Sequence, residues 1–299
     1  MVWLCVFSIF AYGALCIGLR RWQNHLIFFP DVQLKATPEA VELVYDEIRL
    51  PVGEDEHRGT IHGWWIPAHK EQSRLRQAPV ILYLHGNGSN VGDLVGMGQR
   101  FHQLGWSSLL IDYRGYGLSQ GAFPSENRVY EDAEAASNYL VTSLDIDPCR
   151  IVVYGHSLGG AIAIDLATRQ PEMAGFIVEG SFTSMLDMAK LQSRYRLLPL
   201  DWILTQRFES LKKIQLLRSP LLFLHGTADE TIPYQMSQRL QDAAQKSTHQ
   251  PQSSVVLIPN AGHSDLPEVG GEDYVRTIGD FVRRVTCTST FPLSEDDHL

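Results

Sequence analysis

Basic clusters, metal-ligand spacings and low-complexity tracts are all missing from this chain. With a formal net charge of −9 and no cluster of Lys and Arg, a nucleic-acid partner is not expected, because phosphate binding needs clustered cations. The four cysteines show no CxxC spacing and no His or Cys neighbours at metal-ligand intervals; they are Cys5, Cys16, Cys149 and Cys287. We therefore expect no metal, no cofactor and no disulfide framework.

The first 23 residues predict a membrane anchor. Residues 2–19 carry no charged side chain and would span about 27 Å as a helix, close to the thickness of a bilayer core. Arg20, Arg21 and Trp22 follow, as is typical of a membrane interface. A cleaved signal peptide and a buried core helix are the alternatives, but no basic side chain precedes the apolar stretch and no A-x-A site follows it.

The two arginines also bear on orientation. Because both follow the span and none precedes it, the positive-inside tendency favours a cytoplasmic location for the rest of the chain. Residues 24–30, NHLIFFP, remain apolar beyond the arginines, and we expect them to lie along the interface or to pack under the following domain.

The composition is 44% hydrophobic and 20% charged, which is ordinary for a globular protein, and one large domain over 24–285 is the simplest division of 299 residues. Segments 41–50 and 58–66 predict a hairpin at an antiparallel edge. Downstream, short apolar runs alternate with helical patterns, which predicts a mostly parallel, doubly wound α/β sheet. Strands are expected at 80–84, 108–112, 151–154, 175–179, 221–224 and 255–258, and helices at 91–104, 126–144, 158–169, 233–244 and 272–285.

Two segments fall outside this alternation. Residues 183–217 are rich in aromatic and aliphatic side chains without a strand, and they predict either a small lid over the carboxyl edge of the sheet or an ordinary helix-loop-helix connection. Residues 286–299 are polar and acidic, and a flexible tail is expected there.

The motif GHSLG at 155–159 carries the strongest functional signal. It lies between a predicted strand and a predicted helix, where a sharp and strained turn exposes the serine hydroxyl. At the start of that helix, free backbone N–H groups can bind a developing negative charge. A glycine-rich turn needed only for packing is the alternative; the context favours Ser157 as a nucleophile.

A serine nucleophile needs a base, and the base needs an acid to orient it. His263 follows the last predicted strand in NAGHSD, so its side chain is expected over the carboxyl ends of the strands. Asp229 follows the strand LLFL in the loop GTADE. The order Ser, Asp, His along the chain is one found where the nucleophilic serine lies on a sharp strand-to-helix turn, called a nucleophile elbow. Three other carboxylates compete with it for the role of acid: Glu179, Glu230 and Asp265.

The oxyanion of the tetrahedral intermediate needs hydrogen-bond donors. The first strand of the parallel set ends in HGNGSN at 85–90, a glycine-rich loop that can aim a backbone N–H inward. We assign the oxyanion pair to the N–H groups of Asn87 and of Leu158, the residue after the nucleophile. HGNG could instead bind a phosphate, but it has neither GK[ST] nor GxGxxG.

Four further motifs accompany GHSLGG: LHGNGSN at 84–90, DYRGYGLSQG at 112–121, HGTADETIP at 225–233 and AGHSD at 261–265. In this combination the chain resembles the α/β-hydrolase superfamily. Within it, the chain is similar to the membrane-anchored serine hydrolases related to the yeast bud-emergence protein group and the animal α/β-hydrolase-domain proteins. The match covers about residues 25 to 285. The resemblance implies the same triad and oxyanion positions, and we interpret DYRGYG with its Arg114 as structural.

The leading hypothesis is a serine hydrolase that cleaves a carboxylic ester or thioester through an acyl-enzyme. The anchor and the apolar 183–217 segment favour a lipid or acylated substrate. Serine at the elbow argues against dehalogenases and epoxide hydrolases of this fold, whose nucleophile is an aspartate. A serine peptidase or amidase uses the same triad and stays open. A non-enzymatic binding module is also an alternative, but it would be marked by loss of a triad residue, and all three positions are filled.

Overall fold

The computed structural model describes residues 2–54, 58–68 and 78–286. The strands within these residues are β1 Asp46–Val52, β2 Gly59–Ile66, β3 Val80–Leu84, β4 Ser107–Ile111, β5 Ile151–His156, β6 Gly175–Glu179, β7 Leu221–Gly226 and β8 Ser253–Ile258. They form one sheet in the order β1-β2-β4-β3-β5-β6-β7-β8. β2 pairs antiparallel with β1 and β4, whereas all pairs from β4 to β8 are parallel. The predicted mostly parallel sheet with an antiparallel N-terminal edge is confirmed.

Helices alternate with these strands along the chain. They are α1 Val2–Ile27, α2 Val95–Gln103, α3 Glu126–Asn138, α4 Leu158–Arg169, α5 Met185–Leu191, α6 Leu200–Ile203, α7 Ser210–Lys213, α8 Gln235–Gln245 and α9 Leu266–Val285. Short 3-10 turns at Val91–Leu94 and Pro148–Arg150 precede α2 and β5. α9 consists of two helical pieces that meet at a kink at Gly271, whose φ is 50°, and the predicted helix over 272–285 corresponds to the second piece.

The sheet is buried on both faces at its centre. All five residues of β3 are buried, and they alternate between two apolar cores. Leu82 packs with the core that includes α4, while Ile81 packs with the core that includes α9. This two-sided burial is why the central strands are continuous apolar runs rather than alternating patterns.

The first strand begins later than expected. The prediction of a strand from 41 was wrong, because Pro38–Val41 forms a 3-10 turn and Glu42 takes a left-handed φ of 58°. A proline fixes its own φ and suits the start of such a turn, so the extended backbone starts only at Asp46.

The N-terminal helix extends beyond the apolar stretch. α1 continues through Arg20 and Arg21 to Ile27, since no proline interrupts the chain before Pro30. Of the two alternatives for 24–30, the structure shows packing under the domain. Phe28 is 1% exposed, and its ring lies 6.0 Å from that of Phe208.

Among the cysteines in the described residues, Cys149 is disulfide-bonded, whereas Cys5 and Cys16 are free. The cysteine spacing indicated no disulfide framework and did not address a single bond, because spacing along the chain does not report which residues the fold brings together. Nearly all of the predicted tail at 286–299 also lies outside the described residues.

Candidate active site

Ser157 occupies the turn between β5 and α4 in a strained backbone conformation. Its φ of 55° and ψ of −114° lie outside the regions that non-glycine residues favour. The flanking glycines make the turn possible by close approach. A Cβ on Gly155 would collide with the backbone of Gly159, and one on Gly159 would collide with the backbone of Leu84. The strands β5 and β3 and the helix α4 therefore approach one another closely at Ser157.

His263 lies between Ser157 and Asp229. Its Nε2 is 3.0 Å from the Ser157 Oγ, and its Nδ1 is 2.7 Å from Asp229 Oδ2. With the proton on Nδ1, His263 donates to the carboxylate and can accept the serine proton at Nε2. The side chain of Asp229 is fully buried, and that of His263 is 18% exposed. The structure thus brings together the three residues predicted for nucleophile, base and acid.

The competing carboxylates are engaged elsewhere. Asp265 Oδ1 accepts from the N–H of Gly262 at 2.6 Å, within the turn that carries His263. Glu179 is buried and accepts from the hydroxyls of Tyr154 and Tyr274. Glu230 is exposed.

Asp229 also contacts a second histidine, which sequence reasoning did not single out. His225 Nε2 lies 3.2 Å from Asp229 Oδ2, and its Nδ1 is 2.7 Å from the hydroxyl of Ser237. The other carboxylate oxygen accepts from the N–H groups of Thr231 and Ile232, both at 2.8 Å. Only a weak signal of this contact is present in the sequence: His225 lies at the end of a strand, four residues before Asp229.

These contacts keep the Asp229 side chain ionised. Burial by itself raises the pKa of Asp229, but the hydrogen bonds from His225, His263 and the Ile232 N–H outweigh it and hold that pKa well below its usual range. Asp229 is therefore a carboxylate at any pH near neutrality, as an acceptor for His263 requires.

The two predicted oxyanion donors belong to segments that touch at the serine. Leu158 is the first residue of α4, so its N–H has no partner within the helix. The loop after β3 lies against the elbow, since a Cβ on Gly86 would come within 2.9 Å of His156 Nδ1 and 3.2 Å of Ser157 Cβ. Asn87 follows Gly86 directly in this loop.

The side chain of Asn87 has contacts that the motif did not predict. Its Oδ1 accepts from the N–H of Phe29 at 2.9 Å and from the hydroxyl of Tyr116 at 2.7 Å. Its Nδ2 donates to the carbonyl oxygen of Ile27 at 2.6 Å. The loop after β3 is thereby joined to the end of α1 and to the loop of the DYRGYG motif.

Arg114 of that motif has a structural environment. Its side chain is fully buried, and its Nε donates to Asp132 Oδ1 at 2.7 Å, while its backbone N–H donates to Asp132 Oδ2 at 2.8 Å. Neither side chain lines the cavities beside Ser157.

A partly buried polar network surrounds His156, next to Ser157. The Nε2–H of His156 donates to the backbone carbonyl of His263 at 3.0 Å. The carboxylate of Glu179 lies 4.0 Å from the same nitrogen. Burial lowers the pKa of His156, against the opposing influence of Glu179. A neutral His156 thus holds the backbone of the loop that carries His263.

Two cavities meet at the serine, and both are lined by Ser157, Asn87 and His263. One, of about 440 Å³, has mostly apolar walls from α1 and the 183–217 segment. The other, of about 450 Å³, is lined by polar and charged side chains that include Lys35, Asp93, Arg100 and Glu268. Both volumes are typical of small-molecule sites. Within the described ranges, no group of three or more His, Cys, Asp or Glu side chains is positioned to hold a metal ion.

One helix among the residues described is long and apolar enough to cross a membrane. It covers Cys5–Ile27, 23 residues with a mean hydropathy of 1.2, and 6% of its most apolar window is buried. These properties suit a membrane anchor and a signal sequence alike.

Comparisons with known proteins agree with this geometry. A family model described as serine aminopeptidase, S33, matches residues 76–213. Protein Rv2307c of Mycobacterium tuberculosis is 33% identical over 94% of this chain and 94% of its own length. The α/β-hydrolase domain-containing protein WAV2 of Arabidopsis thaliana is 29% identical over 92% and 93%. Protein bem46 of Schizosaccharomyces pombe is 30% identical over 88% and 87%.

Solved structures show the same fold. An esterase of Pyrococcus furiosus superposes with a TM-score of 0.70 at 19% identity, covering 87% of this chain and 97% of that one.

Proposed function

Because the chain belongs to the α/β-hydrolase family, whose members here include hydrolytic enzymes, we propose that it is a serine hydrolase that cleaves a carboxylic ester or thioester through an acyl-enzyme. The observation that carries the proposal is His263, with one ring nitrogen 3.0 Å from the Ser157 hydroxyl and the other 2.7 Å from Asp229. Such a base, fixed in its tautomer, activates a serine that an elbow holds exposed.

In the acylation step, Ser157 Oγ attacks the acyl carbon while its proton moves to His263 Nε2. The negative charge that develops on the carbonyl oxygen is bound by the N–H groups of Asn87 and Leu158. His263 then gives the proton to the departing oxygen or sulfur, which breaks the old ester bond and leaves the acyl-enzyme. Asp229, ionised throughout, stabilises the imidazolium between these two transfers.

Deacylation reverses the roles with water. His263 takes a proton from a water molecule, the hydroxyl attacks the acyl carbon, and the proton returns to Ser157 as the acid leaves. The apolar cavity suits the acyl group and the polar cavity suits the alcohol, since the serine lies where they meet.

The test is covalent labelling with a fluorophosphonate, followed by a substrate panel. We expect wild type to be labelled and Ser157→Ala not, although both remain folded. The panel compares a p-nitrophenyl ester, an acyl thioester and a peptide anilide. Hydrolysis of the anilide in preference to both esters would replace the proposal with the peptidase alternative, and a folded wild type without labelling would leave only a binding module.

We also propose that α1 is an uncleaved single-pass anchor. Support comes from Gln23, which is 4% exposed and bonded to the 183–217 segment, so that the end of the helix is part of the folded domain. The test is the N-terminal sequence of the mature protein in carbonate-washed membranes. A mature chain that begins after Ile27, or a protein released by carbonate, contradicts the anchor.

The domain is proposed to lie on the cytoplasmic side, because Arg20 and Arg21 follow the apolar stretch. The disulfide at Cys149 argues for an oxidising compartment instead. Protease protection of a C-terminal tag in sealed cells distinguishes the two locations. A protected tag supports the cytoplasmic side, and digestion of the tag from outside contradicts a cytoplasmic domain.

A further inference from the structure

One face of α1 is packed against the 183–217 segment. Tyr12, Cys16, Leu19 and Gln23 are spaced by four, three and four residues, which places them on one side of a helix. The Tyr12 hydroxyl donates to the carbonyl of Leu197 at 2.6 Å, and Cys16 is 4% exposed. Other large side chains of the helix face outward, with Trp3 86%, Phe7 73% and Phe10 74% exposed. The helix thus has a docked face and a free apolar face.

Gln23 anchors this docking with a fully paired amide. Its Nε2 donates to the carbonyls of Arg20 and Ile203, at 2.6 and 3.2 Å. Its Oε1 accepts from the N–H groups of Thr205 and Gln206, at 2.7 and 3.1 Å. A buried polar side chain with all of these bonds made fixes the segment to the helix.

The apolar cavity lies between α1 and the 183–217 segment. Leu19, Leu26 and Ile27 form its wall on the α1 side, and Met185, Met188 and Leu198 belong to the opposite wall. Ser157 and His263 also line it. Leu26 lines the cavity and is nevertheless 52% exposed, so the cavity reaches the surface along the helix.

The 183–217 segment also exposes apolar side chains beside α1. Leu197 is 85% exposed and Trp202 is 49% exposed, although both contact α1. The Arg20 guanidinium lies 5.1 Å from the ring of Trp202. The 183–217 segment follows α1 from Gln23 to Tyr12, about 16 Å at 1.5 Å per residue. If α1 enters a bilayer, Leu197 and Trp202 enter its surface with it.

From this arrangement we propose that the apolar cavity is a binding site for the long acyl chain of a membrane lipid ester, and that α1 is one of its walls. The chain enters from the bilayer between α1 and the 183–217 segment, with its ester carbonyl at Ser157. The transmembrane helix is then a specificity-determining part of the enzyme as well as its anchor. The inference rests on the proposed ester hydrolysis and adds its substrate class.

The test uses the full-length protein reconstituted in vesicles of ether-linked phosphatidylcholine, which contain no carboxylic ester to compete. The measured quantity is the ratio of kcat/KM for p-nitrophenyl palmitate to that for p-nitrophenyl butyrate. Leu19→Trp fills the α1 side of the cavity and is expected to lower the ratio about tenfold or more. The matched control is Ile17→Trp, on the same helix at an exposed position (48%), which is expected to leave the ratio unchanged.

A ratio unaffected by Leu19→Trp, or lowered equally by Ile17→Trp, overturns the inference while leaving ester hydrolysis standing. So does a wild type that cleaves the butyrate but not the palmitate. Cleavage of neither ester by fluorophosphonate-reactive wild type overturns both the inference and the proposed function. If Leu19→Trp does not fold, as judged by circular dichroism and thermal unfolding, Leu26→Trp fills the same wall and is read by the same ratio.

Discussion

The side chain of Asn87 is hydrogen-bonded to the backbone of Phe29, whose N–H donates to Asn87 Oδ1 at 2.9 Å. Together with the bond from Asn87 Nδ2 to the Ile27 carbonyl, this joins the loop proposed to bind the oxyanion to the end of the N-terminal helix. A residue assigned for its backbone N–H therefore also uses its side chain to hold that N–H in place.

Asn87→Ala is expected to lower kcat about 10- to 100-fold, because the backbone donor remains but its position is loosened. The measurement is kcat and KM on a soluble ester, with thermal unfolding to confirm that the fold survives. Ser89→Ala is the control in the same loop, since its hydroxyl contacts Asp93 rather than the N-terminal chain. Equal losses in the two variants would contradict the positioning role.

Ser157→Ala and His263→Ala are each expected to lower kcat by a factor of about 10⁴ or more, and the double variant is expected to lower it no further. The two side chains act as one unit, because the base has no function without the hydroxyl 3.0 Å away. Steady-state kinetics of both single variants and the double variant test this. Losses that multiply would show that one of the two assignments is wrong.

The sheet and the serine turn could be predicted because their physical requirements are local. Strands buried on both faces need unbroken apolar runs, as in β3, and a turn with the strain of Ser157 needs glycines where Cβ atoms would collide. His263 and Asp229 were predictable for a related reason, since both follow strands whose carboxyl ends meet at one edge.

The docking of α1 could not be predicted in this way. The helix is apolar on nearly all sides, so its sequence marks no face for packing. Gln23 was a weak signal, as a polar side chain whose partners lie about 180 residues away along the chain. The contact between His225 and Asp229 and the disulfide of Cys149 likewise depend on three-dimensional proximity that spacing does not report.

Arg114→Met is expected to destabilise the protein by about 3 to 5 kcal/mol, because it removes the guanidinium that pairs with the buried side chain of Asp132. Thermal or urea unfolding measures the change. Arg276→Met is the control, since its partner Asp273 and the arginine itself are both exposed, and about 0 to 1 kcal/mol is expected there. A small effect at Arg114 would contradict a structural role for the DYRGYG motif.

Gln23→Leu is expected to expose the N–H groups of Thr205 and Gln206 to exchange, since both lose their acceptor. Hydrogen exchange of the detergent-solubilised protein measures their protection. Trp22→Leu is the neighbouring control, because Trp22 is 67% exposed and should not alter protection at these two amides. Unchanged protection in Gln23→Leu would mean that the helix does not hold the segment.

The last prediction concerns acid stability and two histidines, the buried His85 and the partly buried His156. Burial lowers the pKa of both His85 and His156, so between their folded pKa values and the unfolded value of about 6.5 the native protein binds fewer protons than the unfolded chain. Stability from these groups is therefore present above about pH 6.5 and is lost as the pH falls below it, by up to about 1.4 kcal/mol per pH unit for each group. The variant His156→Gln keeps a hydrogen-bond donor for the His263 carbonyl. As the pH falls from 7.5 to 5.5, a window centred on the ordinary histidine pKa, its free energy of unfolding should fall less steeply than that of wild type. Urea unfolding across this range measures both slopes, and equal slopes would show that His156 does not gain a proton on unfolding.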